Sequence, residues 1–150
     1  MLKKILAALA IIFILIQFIP TSLPEVRDNN PGDLLKNNEV PANIVTLLHN
    51  SCYDCHSNET VYPWYSYIAP VSFLVNRDTR KGRKHLNFSE WQSYSRDDKA
   101  EALDDLTEEV KEGEMPMKIY PIMHAKARLS DEDREALVSW AEDFADRLYE

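Results

Sequence analysis

The sequence predicts an all-α fold, a small helical domain preceded by an apolar N-terminal helix. Three observations lead there. Only three glycines occur in 150 residues, too few for a fold built on hairpin turns. Apolar residues recur at helical spacing, most cleanly at Leu137, Trp140, Ala141, Phe144 and Leu148. The run 5–19 is apolar apart from Gln17 and has no polar face.

That run follows Met1-Leu2-Lys3-Lys4, a short basic start, so residues 1–20 read as a signal anchor or transmembrane helix. Lysines before the run and acidic residues after it place the N-terminus in the cytoplasm. The expected location is the bacterial inner membrane, with the rest of the chain in the periplasm. Ile19-Pro20-Thr21-Ser22-Leu23-Pro24 offers no small-residue cleavage site; cleavage, the alternative, would leave a soluble periplasmic protein. Residues 21–40, with Pro24, Pro31 and Gly32 among polar residues, read as an extended linker. The domain proper is expected over 41–150.

The stretch Ser51-Cys52-Tyr53-Asp54-Cys55-His56-Ser57 holds both cysteines of the chain. Two thiols spaced C-x-x-C lie on one helical turn and can add to two vinyl groups of one porphyrin, forming thioethers. The histidine that follows then falls beneath the ring as an iron ligand. This predicts one covalently attached haem c, held by Cys52, Cys55 and His56. A redox dithiol would prefer a βαβ context, which is lacking. Zinc needs four ligands, and His49, His56, His85 and His124 lie at no zinc-finger spacing. A disulfide across two residues would close little loop entropy. The formal net charge of −8 argues against nucleic acid, which calls for a basic stripe. It suits steering of basic redox partner proteins.

Pro41 can open a helix carrying Ile44, Val45, Leu47 and Leu48 into Cys52. After a polar turn, four aromatics fall within 62–67. Pro63, Trp64 and Tyr65 are candidate haem-wall residues, though ordinary core packing explains such side chains equally well. The carbonyl of Pro63 or Pro70 is a candidate acceptor for the second ring proton of His56. Residues 70–84 read as a helix ending in Arg77, Arg80, Lys81, Arg83 and Lys84, either a solvated face or a site for propionates or an acidic partner. Trp91 and Tyr94 are expected in the core. Ser95 caps the next helix, whose buried stripe is Ala100, Leu103, Leu106 and Val110, and Gly113 ends it. Ser130 and Asp133 start the last helix, which should pack on the helix leading to the cysteines. The segment 113–124 holds Met115, Met117 and Met123, every methionine but the first, and should supply the second axial ligand.

This order of elements resembles the class I cytochromes c. A nearer resemblance is to a small haem-binding domain family of membrane-anchored bacterial proteins. It rests on C-x-x-C-H-S-N-x-T-x-x-P-W-Y from Cys52 to Tyr65, on Gly82 with Leu86-Asn87-Phe88-Ser89 and Trp91, on Gly113-Glu114-Met115-Pro116 with Tyr120 and His124, and on Leu129, Ser130 and Trp140. Relatives often carry a histidine where this chain has Asp78. The resemblance implies a cytochrome c-like fold around one haem. It also implies Met115 of the Met-Pro pair as sixth iron ligand. His124 is the main rival, which would give bis-histidine ligation; Met117 and Met123 follow, then His85.

The function expected is a membrane-tethered monohaem electron carrier rather than an enzyme. The alternative is a haem enzyme or gas or redox sensor with a displaceable sixth ligand, such as a peroxidase, although no distal His-Arg pair is visible. A structural zinc module without haem is the third reading.

Overall fold

A computed structural model describes residues 1–150. The chain is helical throughout, without a strand, as the scarcity of glycine predicts. Its core forms where helix faces meet: Ile44, Leu48, Leu103, Leu137, Trp140 and Phe144 belong to one buried cluster. Each such side chain contributes about 1.5–3 kcal/mol by leaving water.

The N-terminal run forms α1 (Leu2–Ile16), of 15 residues, with none of them buried. At about 1.5 Å per residue it reaches roughly 22 Å, short of the ~30 Å apolar core of a bilayer. No helix of the protein is long and apolar enough to cross a membrane. The transmembrane helix expected over 1–20, and the inner-membrane placement that followed from it, are therefore corrected. Two residues stop the helix. Pro20 has no N–H for the carbonyl of Ile16 and disfavours helical geometry at Ile19. The side chain of Gln17 turns to the backbone of Ala69, donating to its carbonyl and accepting from its N–H, each at 3.0 Å.

The stretch 21–40, expected as a linker, contributes to the core. Asp33 caps α2 (Leu34–Asn37) by accepting from the N–H of Leu35. Leu34 is fully buried, and Asn30 and Asp33 nearly so. The cap turns the chain sharply enough to insert Leu34 beneath Phe88–Ser93, a 3-10 turn against which α2 packs.

α3 (Ala42–Ser51) follows Pro41 and buries Ile44 and Leu48. The cysteine–histidine stretch forms a separate single turn, α4 (Tyr53–His56). After a 3-10 turn at Trp64–Tyr67, α5 (Val71–His85) packs against α4. α6 (Arg96–Glu112) begins with a capping box between Ser95 and Asp98 and ends at Gly113, whose φ of 73° is the left-handed geometry that glycine takes freely. After the short α7 (Tyr120–Met123), α8 (Asp131–Arg147) begins with a capping box between Ser130 and Asp133. α6 and α8 pack along each other, and α8 also meets α3. Trp91 is buried and Tyr94 half-buried, its hydroxyl oxygen accepting from the N–H of Asn87 at 2.8 Å.

Candidate functional site

The cysteine–histidine turn is held from within and from behind. The N–H groups of Cys55 and His56 both donate to the carbonyl of Cys52, at 3.1 and 2.9 Å. Ser57 closes the turn by donating to the carbonyl of Tyr53 at 2.7 Å and accepting from the N–H of Glu59. Tyr53 anchors it to the core, its ring stacked on Phe88 with centroids 5.1 Å apart and its hydroxyl donating to Asp33. Beneath lies a buried polar chain in which Asn87 donates to Asn58, and Asn58 to Asn30, at 3.0 and 3.4 Å. α5 approaches the turn at Gly82, where an added Cβ would stand 2.6 Å from the carbonyl oxygen of Cys55.

A cavity of about 490 Å³ opens in front of the turn, within the size range of cofactor sites. Cys52, Cys55 and His56 form one wall. α5 contributes Asp78, Lys81, Gly82 and His85, and α6 contributes Ala102, Asp105, Leu106, Glu109 and Val110. Both sets follow the i, i+3, i+4, i+7 spacing of one helix face. Met115, Pro116, Met117 and Tyr120 complete the lining. The backbone of Met115 is fixed on both sides. Its N–H donates to the carbonyl of Glu109 at 3.0 Å, and its carbonyl accepts from Arg134 of α8 at 3.2 Å.

His56 Nδ1 lies 3.1 Å from the carbonyl oxygen of Leu86. A carbonyl only accepts, so Nδ1 carries the proton and Nε2 keeps a free lone pair. The expectation of a proline carbonyl at Pro63 or Pro70 is corrected by this contact. His56 lines the cavity and is only half-buried by area, yet the surrounding protein is dense enough that burial pushes its pKa down. A neutral imidazole is the form that binds a metal. Burial, then the neighbouring Cys55, pushes the Cys52 thiol up to about 12. Burial, then Asp54 and Asp78, pushes Cys55 up to about 11. Both cysteines are free, neutral thiols. No three His, Cys, Asp or Glu side chains converge as a bare metal ion would require, so the residues do not fit a zinc site. They do fit a haem, which needs only axial donors from the protein: an imidazole on one wall, thioethers of methionine among the other lining residues, and apolar surface between.

The expected site residues divide. Cys52, Cys55, His56, Met115 and Met117 share the cavity, as does His85. Pro63, Trp64, Tyr65 and His124 do not line it. Trp64 is 70% exposed, and Met123 62%. His124 is engaged outside the cavity, with Nε2 2.5 Å from the hydroxyl of Tyr65 and its ring stacked on Tyr120 at 4.1 Å. The basic cluster on α5 holds the N-terminal segment: Arg80 donates to the carbonyl of Ser22 and Arg83 to that of Glu25, each at 2.7 Å. Of that cluster, Lys81 alone lines the cavity.

Sequence reading missed the Leu86 carbonyl, the close approach at Gly82, and the hydrogen bond that the Tyr120 hydroxyl donates to Asp54. The helix-face spacing of 78, 81, 82 and 85 was the available signal for α5. The family model for a haem-binding domain matches residues 11–143. The chain belongs to the haem-binding domain family. No curated protein and no solved structure matches it. For this haem-binding domain the cavity beside His56 is the place with the donor chemistry that haem requires.

Proposed function

We propose that this haem-binding domain carries one haem c, joined through Cys52 and Cys55 and ligated by His56 and Met115, and that it passes single electrons between protein partners. The observation that carries the reading is the cavity itself: both thiols, an Nε2 freed by the Leu86 carbonyl, and a methionine clamped by Glu109 and Arg134 line one space. A bound haem supplies a one-electron iron couple.

The chain's residues would serve that couple in distinct ways. Leu86 fixes the ring plane and tautomer of His56. Leu86, Phe88, Ala102, Leu106 and Val110 present apolar surface that keeps water from the metal. A methionine opposite His56 raises the potential relative to a second histidine. The net charge of −8 favours encounter with basic redox partners. The haem-carrying unit in this reading is 41–150, with the segment around Leu34 packed into it.

Three measurements on the full chain, expressed with a haem-attachment system, test this. A pyridine assay should find one covalent haem per chain. Voltammetry should show a reversible one-electron couple, and the reduced protein should take up carbon monoxide only slowly, as the methionine must first leave the iron. Rapid carbon monoxide binding would replace the carrier reading with one of an open sixth position. A colourless product would remove the haem reading itself.

A further inference from the structure

The second variable residue of the C-x-x-C-H turn is bonded to the loop that carries Met115. The hydroxyl of Tyr120 donates to Asp54 Oδ2 at 2.5 Å. The other carboxylate oxygen, Oδ1, accepts from the N–H of Val61 at 2.9 Å. Asp54 therefore spends its two oxygens on two different loops. Tyr120 in turn stacks on His124 with only 12° between the rings, and His124 meets the hydroxyl of Tyr65. Both Asp54 and Tyr120 line the cavity, whereas Tyr65 and His124 lie behind it.

The loop has little else to hold it on this side. Ile119, Ile122 and Met123 are exposed, and Tyr120–Met123 is a single turn that buries no residue. Its own backbone bonds are short-range: Tyr120 N–H to Met117 and His124 N–H to Tyr120. The start of the loop is fixed at Met115, whose N–H donates to Glu109 and whose carbonyl accepts from Arg134; its far end is tied to the rest of the fold by two side-chain bonds, Tyr120 to Asp54 and His124 to Tyr65.

We propose that Asp54 and Tyr120 form a latch, backed by Tyr65 and His124, that holds the 114–124 loop against the cysteine–histidine turn and so positions Met115. This rests on the reading of the cavity as the haem site with Met115 opposite His56. Asp54 and Tyr120 are positioning residues. They set how often the loop opens, and hence how readily an external ligand reaches the metal. A hydrogen bond to a charged acceptor accounts for on the order of tenfold to hundredfold in such an equilibrium.

Two readouts on Tyr120→Phe test the latch. The substitution removes the hydroxyl and keeps the ring that stacks on His124. In the full-length chain without haem, the amides of Tyr120 and His124 should exchange at least tenfold faster than in the unsubstituted chain, with the amides of α6 and α8 unchanged. In the haem-loaded chain, the reduced form should bind carbon monoxide at least tenfold faster. Tyr65→Phe should shift both in the same direction by less. Unchanged exchange and unchanged carbon monoxide binding in Tyr120→Phe overturn the latch. A haem-loaded chain that already binds carbon monoxide as fast as its Met115→Ala variant removes the Met115 reading beneath it; the exchange difference without haem tells the two failures apart.

Discussion

Gly82 of α5 lies so close to Cys55 that a Cβ there would stand 2.6 Å from the Cys55 carbonyl oxygen and 3.2 Å from its Cβ. The nearest atoms are backbone, which cannot swing aside as a flexible side chain would. Two effects oppose each other in Gly82→Ala. Alanine favours a helix interior by roughly 1 kcal/mol, while overpacking costs about 1–3 kcal/mol. The clash should win, because relief requires α5 to move as a body away from α4. We expect Gly82→Ala to lower the stability of the haem-free chain by about 1–2 kcal/mol and Gly82→Val by more, read from urea midpoints. An alanine variant as stable as the parent would show that α5 has slack.

Asp33 gives the second prediction. Its carboxylate is almost fully buried and accepts from the N–H of Leu35 at 2.9 Å and the hydroxyl of Tyr53 at 3.1 Å. Asp33→Ala removes a helix cap and strands the Tyr53 hydroxyl behind the cysteine–histidine turn. The expected loss is about 3 kcal/mol in chemical denaturation. Exposed Asp28 is the contrast, and Asp28→Ala should stay within about 0.5 kcal/mol. Equal effects at the two positions would mean that the 21–40 stretch does not act through Asp33.

These two residues also show what the sequence could and could not reveal. α6 and α8 were legible because their signals are local: Ser95 and Ser130 at the start, Gly113 at the end, and an apolar stripe between. The C-x-x-C-H turn was legible because its chemistry lies in five consecutive residues. Asp33 and Leu34 sit in a stretch whose prolines and polar residues read as linker, and their burial depends on partners at Tyr53 and in the Phe88–Ser93 turn. The acceptor for His56 is a backbone carbonyl, which has no residue-type signature. The length of α1 turned on Gln17, whose partner Ala69 is 52 positions away. Hydropathy registers the apolar run but not that contact.

The titrating groups predict an asymmetry between haem-free and haem-loaded chains. Burial holds His56 below its ordinary 6.5. Under about pH 6.5 the unfolded chain takes up a proton that the folded chain refuses, so stability should fall as pH drops. Cys52 and Cys55 are raised from 9.0 to about 12 and about 11. Between pH 9 and those values the unfolded chain loses protons that the folded chain keeps, so stability should fall as pH rises. Thioethers do not titrate. With haem attached, the alkaline loss should therefore begin only near pH 10, where Tyr53 and Tyr120, both raised mainly by burial, start to count. Urea midpoints across pH, with thiols kept reduced, check this. Identical alkaline limbs with and without haem would argue against thioether formation.

The face of the metal opposite His56 is open to a direct comparison of three variants. Met115 and Met117 both line the cavity, while His124 is held outside it by Tyr65 and Tyr120. Met115 has the better-fixed backbone, since Arg134 donates to its carbonyl and also to that of Val110 at 2.9 Å. A methionine bound to oxidised haem iron gives a weak far-red absorption band. That band should be present in the haem-loaded chain, absent in Met115→Ala, and retained in Met117→Ala and His124→Ala. Met115→Ala should also lower the potential if His85 or water takes the vacated position, because the thioether is what raises it. Loss of the band in Met117→Ala alone would move the ligand two residues along the same loop. Absence of the band from the unsubstituted chain would point to a histidine opposite His56; were that His124, the loop would have to turn inside out on binding haem, and the assignment to Met115 would be overturned.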